Sequence, residues 1–184
     1  MNTIEKTKSQ SERGRSLAEN LTETQLNARL DTDTWSLGMQ LDHIAVVLEK
    51  ATAEMEKALA GETIPLGDPT AWKPNFLERK FIQMVGAQPG GRMNPVPKGF
   101  EPREEPLDKK ALLARYAAAH ARLLVVLERT KNADLKHIKA ASAALPWMKF
   151  SLGAWFAAMA VHTDYHLDKA EKLQPGSENT PALG

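Results

Sequence analysis

Fourteen of the 22 glycines and prolines in this chain of 184 residues fall between positions 61 and 106. Glycine and proline are the strongest interruptions of a helical backbone. Their concentration in the middle leaves a long stretch on either side in which helices can run unbroken. Four segments in those stretches carry apolar residues three and four apart, the period of a helix buried on one face. The first covers residues 4–21, with a thin stripe of Ile4, Leu17 and Leu21. The second covers 36–60, with Leu41, Ile44, Leu48, Ala51, Met55 and Leu59 in register and Gly61 as its stop. The third covers 108–130 and lines up Leu112, Tyr116, His120, Leu123 and Leu127. The fourth covers 151–173, with Ser151 as its cap, Leu152, Trp155, Met159, Ala170 and Leu173 in the stripe, and Pro175 and Gly176 beyond. Four such helices bury their stripes most simply against one another. The expected fold is therefore all-α: a four-helix bundle with a long Gly/Pro-rich crossover between the second and third main helices. Residues 75–85, NFLERKFIQMV, should form a short helix inside that crossover. No strand is expected, because alternating β-branched runs are missing. One domain should span residues 1–184, with a frayed tail at 174–184.

Charge and cysteine content narrow the function. Lysine and arginine number 24 against 23 acidic residues, a net charge of +1, so the basic excess of a nucleic-acid binder is missing. With no cysteine there is no disulfide framework, thiolate metal site or cysteine nucleophile, and a metal must be held by His, Asp or Glu. The longest uninterrupted apolar run, residues 154–161, is far short of the roughly 20 residues a membrane-spanning helix needs. The polar N-terminus, MNTIEKTKSQ, lacks the apolar core of a signal peptide. A cytoplasmic protein with a small-molecule substrate, and neither nucleic acid nor membrane as partner, is expected.

The five histidines, His43, His120, His137, His162 and His166, differ in their helical positions. On a helical wheel centred on Trp155, His162 and His166 lie about 20° to either side, in the middle of the apolar stripe. Four residues apart on one face, their Cβ atoms are about 5–6 Å apart, so both rings can reach one ion. A buried imidazole needs partners for both nitrogens, so the two are either a ligand pair or two core histidines satisfied by neighbouring groups, and H-x3-H by itself is a weak motif. Thr163 follows the first histidine where a zinc protease needs glutamate, so that chemistry is excluded. Asp164 and Asp168 fall on the far side of the wheel and make poor ligands. A third ligand must come from another helix. His43 lies at the edge of the second stripe and His120 at the centre of the third, and the spacing does not choose between them. His137 is a loop or helix-end residue.

The segment WSLGMQLDHI resembles the start of the second helix in the DinB/YfiT-like superfamily, where Trp-Ser is followed by a histidine one to two turns later. PWMKFSLGAWFAAMAVHTDYHLDKAEKL is similar to the family's C-terminal block, which ends in H-x3-H-L, and PVPKGFEP to a Pro-rich connection in one branch of it. The resemblance implies a four-helix bundle holding a divalent metal, nickel or zinc, on His43, His162 and His166. It leaves His120 as a pocket-lining residue or a partner to a ligand. It also implies a homodimer, since these bundles often pair through helix faces. Many members carry glutamine where this chain has Lys169, which either reaches the surface or meets an anionic substrate.

Three imidazoles leave a coordination position open, the pattern of a catalytic site. The resemblance implies a thiol-dependent S-transferase acting on small electrophiles, its low-molecular-weight thiol supplied as a cofactor of the bacillithiol or mycothiol kind. A metal-dependent hydrolase, a bundle stapled by metal without catalysis, and a metal-free interaction domain are the alternatives. The ion should lie near the start of the second helix, between Trp35 and Trp155 as apolar walls. Arg92, Met93, Lys98 and Phe100 of the long connection should close over it. Metal binding should weaken as pH falls through the imidazole range near 6.5.

Overall fold

Each long helix starts on a side chain that satisfies its first free amide groups. Asn2 accepts from the Ile4 amide, Ser36 from Met39, Asp108 from Ala111 and Ser151 from Ala154. The computed structural model describes residues 2–61, 63–86, 95–104 and 106–175. Within them lie α1 (Thr3–Glu19), α2 (Glu23–Asn27), α3 (Leu37–Leu59), α4 (Phe76–Val85), α5 (Lys109–Arg129) and α6 (Leu152–Glu171), with two three-residue strands, β1 (Lys139–Ala141) and β2 (Lys149–Ser151). The protein is mostly helical. Arg92, Met93 and the tail beyond residue 175 lie outside the described residues.

The four long helices pack in pairs. Helix α3 lies against α5 and α6, and α1 lies against the same two. The expected stripes of α3 and α5 are buried throughout, and the buried apolar side chains described, Met39 and Val46 apart, form one cluster. The thin stripe of α1 has a physical reason: α1 also docks through polar and small residues. Gln10, 4 % exposed, donates to the Ala160 carbonyl and to Asp164. The Tyr116 ring lies where a side chain on Gly14 would be. Asp164 and Asp168 are therefore tied to α1, Asp164 by Lys6 and Gln10 and Asp168 by Arg13.

The connection from α3 to α5 passes the start of α6, runs along that helix and then crosses α3. Near its start, the Asp134 amide donates to the Pro65 carbonyl and the Gly67 amide to the Asn132 carbonyl. The Trp72 indole N–H then donates to the Ser151 hydroxyl, and its ring covers Gly153, where a Cβ would collide with it. Helix α4 starts on a capping box of Asn75 and Glu78 and packs along α6. After residue 94 the chain crosses the beginning of α3. There every residue from Leu37 to Leu48 is buried, around the whole circumference of the helix. Leu107 closes this passage by hydrogen bonds to Asn27.

Two features differ from the expectation. Helix α2 was hidden by its length of one and a half turns, although Thr22 and Gln25 form a capping box. The antiparallel pair β1–β2 breaks the expectation of no strand. Its residues, KAA and KFS, carry no β-branched pattern. Packing selects the pairing: Phe150 stacks on Phe81 at 4.2 Å, and the Trp155 indole donates to the Ala140 carbonyl.

Candidate functional site

His43 stands in the second turn of α3, and His162 and His166 one turn apart on α6. Packing of α3 on α6 brings the three rings together, each 7 % exposed or less. One nitrogen from each ring lies within 4.8 Å of the other two. The Nε2 atoms of His43 and His162 are 3.2 Å apart. Two nitrogens bound at about 2.0–2.1 Å to one tetrahedral ion would be about 3.3–3.4 Å apart.

The outer nitrogens explain the ring orientations. His43 Nδ1–H donates to the Phe100 carbonyl at 2.7 Å, and His166 Nδ1–H donates to Gln40 Oε1 at 2.7 Å. Both rings are thereby fixed as the tautomer whose Nε2 keeps a free lone pair, the arrangement metal-binding histidines use. The Nδ1 of His162 is buried without a partner among the described residues.

Electrostatics keep the rings neutral. Burial, followed by the neighbouring His43, pushes the His162 pKa down to about 3. Burial, then His162, His43 and Lys169, holds His166 well below its ordinary value. His43 is lowered by burial too, despite the Phe100 carbonyl, which favours its charged form. At neutral pH all three offer lone pairs, and each fits a metal donor set without losing a proton.

The three histidines border a cavity of about 340 Å³. Its walls come from α3, α4, α6, residues 95–97 and 100, and the hairpin from Ser142 to Phe150. Trp155 lines it, as expected. Trp35 is not among the lining residues. It packs on the histidines instead, 4.9 Å from the His43 ring and stacked at 5.8 Å on His166. His120 is buried elsewhere on α5, its Nδ1–H donating to the Tyr116 carbonyl. Lys169 is half-buried with its ammonium over the Tyr165 ring and does not line the cavity. Lys98 is exposed and not on the cavity, whereas Phe100 reaches it. His137 is exposed and paired with Asp134. Asp164 and Asp168 stay outside the histidine cluster.

Three contributors escaped the sequence reading. Gln40 carried a signal: it lies three residues before His43, on the same side of α3. Phe100 acts through its carbonyl, which no residue type announces. The third is Asp42, fully buried beside His43. The Arg103 amide and guanidinium donate to it at 3.0 and 2.8 Å, and Arg115 donates at 3.0 Å. Burial alone would raise the Asp42 pKa, but these donors hold it below the ordinary carboxylate value. The clamp pins residues 100–103 over the start of α3 and so sets the Phe100 carbonyl on His43.

No curated protein and no solved structure matches the chain. A family model does match, over residues 7–169, a span that holds α2 to α5, all but the last two residues of α6, the connection between α3 and α5 and all three clustered histidines. The chain belongs to the DinB superfamily.

Proposed function

We propose that His43, His162 and His166 hold one divalent metal ion, nickel or zinc, and that the protein is a metal-dependent enzyme of the thiol-dependent S-transferase type acting on small electrophiles. One observation carries the reading: three buried, neutral imidazoles, two with their Nδ1–H groups already engaged, converge at the wall of an apolar cavity. When bound, a divalent ion supplies Lewis-acid activation, lowering the pKa of a thiol from a small cofactor so that it can act at neutral pH. The chain's own residues do the rest. Phe100 and Gln40 orient two rings, Trp35 packs on two of them, and the cavity sets apolar walls beside the reacting groups. Hydrolysis is the weaker reading, because no carboxylate lines the described cavity to take a proton from water.

The pairwise packing of α1, α3, α5 and α6 supports a four-helix bundle as the scaffold, with the segment from α3 to α5 as its crossover. The assembled form in this reading is a homodimer, and Phe76 and Leu77, exposed side by side on α4, are apolar surface a second copy could cover. Sedimentation that gives only monomer at micromolar concentration removes that part.

Elemental analysis of untagged protein purified without chelator tests the centre. About one equivalent of nickel or zinc is expected. His162→Ala and His166→Ala should lose it, and His137→Ala should keep it. Turnover is then assayed with a low-molecular-weight thiol and an electrophile. Metal without thiol-dependent turnover would leave a bundle stapled by its ion.

A further inference from the structure

The described lining of the cavity contains no Asp, Glu, Lys or Arg. Its polar members are the three histidines, Ser142 and Tyr165. The Ser142 hydroxyl already accepts from the Leu145 amide. The Trp155 indole N–H is committed to the Ala140 carbonyl. Two polar atoms differ: His162 Nδ1, beside the other cluster rings, and the Tyr165 hydroxyl are buried and have no partner among the described residues. A buried hydroxyl without a partner is unusual and destabilising, and an acceptor placed against it would relieve that. A charged group entering the apolar end would lose its water and meet no opposite charge among the described residues.

We propose that this cavity takes an uncharged molecule: an aromatic or short aliphatic body carrying one hydrogen-bond acceptor, such as a ketone or ester carbonyl. The body lies among Phe81, Val47, Met159 and Leu145, and its oxygen accepts from the Tyr165 hydroxyl. A cavity of about 150 Å³ can hold benzene, so roughly twice that volume suits about ten to fifteen non-hydrogen atoms. The inference rests on the site proposed above and names its substrate class, but binding of the apolar body requires no ion.

Isothermal titration of the full-length chain, as purified and after removal of metal, tests it with an isosteric pair, 4-phenylbutan-2-one and 3-phenylpropanoate. On the metal-free chain the ketone should bind at least about tenfold more tightly than the carboxylate. Tyr165→Phe should weaken the ketone about fivefold to tenfold and leave butylbenzene, which has no acceptor, unchanged. Leu145→Arg, at a position 38 % exposed on the cavity, should reverse the preference towards the carboxylate in a folded variant. Equal affinity for ketone and carboxylate, or no binding of either, would overturn the proposal. So would a Tyr165→Phe variant that weakens butylbenzene as much as the ketone. A chain that retains no metal yet binds the ketone would refute the metal centre and leave the apolar site standing.

Discussion

His120 shows what burial does to a histidine outside the cluster. It is 1 % exposed, its Nε2 has no partner among the described residues, and burial pushes its pKa down to about 4. The unfolded chain binds a proton near pH 6.5, so it takes up that proton first as pH falls. The contribution of neutral His120 is therefore full above 6.5 and is lost progressively down to about 4, at about 1.4 kcal/mol per pH unit. Urea denaturation of the native chain and His120→Leu at pH 7 and 5 should show the variant with the shallower loss. The same reasoning moves the expected pH for metal release. Since burial holds all three cluster histidines below their ordinary value in the folded chain, proton competition at the centre should begin below 6.5. The two cluster histidines on α6 were legible because their spacing and their stripe agreed. The tautomers were not, because Phe100 and Gln40 decide them from other elements.

At the scale of elements, the long connection positions His43 from outside its own helix. Removing Arg103 leaves Asp42 with Arg115 and frees the strap that carries Phe100. Arg103→Ala should weaken metal binding about tenfold in a chelator competition, since a ligand's outer hydrogen bond is worth about 10–100-fold in affinity. The far side of α6 depends on fit rather than charge. Gly153→Ala would drive a methyl group into the Trp72 indole and should lose about 1–3 kcal/mol of stability, read from the urea midpoint at constant slope. The limits of α3, α5 and α6 were legible from Ser36, Asp108 and Ser151, because a cap is a local hydrogen bond written in adjacent residues. The β1–β2 pair was not, because its stability comes from Phe81 and Trp155 rather than from its own residues.

At the scale of the whole molecule, an ion shared by α3 and α6 would tie the first third of the chain to its last. A ligand that binds only the folded state at about a hundred times its dissociation constant adds about 2.7 kcal/mol. For a chain of this length that is a rise in Tm of roughly 5–10 °C, and His43→Ala should abolish it in a thermal scan with and without metal.

The amino-acid sequence by itself determined the helices and their buried faces, because apolar periodicity and capping are local, and it set His162 beside His166 for the same reason. It also determined that a metal would have to be met by imidazole or carboxylate, since the chain has no cysteine. Only the tertiary structure decided that His43 rather than His120 joins that pair, because both sit on buried helix faces and only the packing of α3 on α6 aims one of them at the cluster. The cavity was likewise invisible in sequence. Its walls come from residues far apart in the chain, and the cavity exists only where those elements meet.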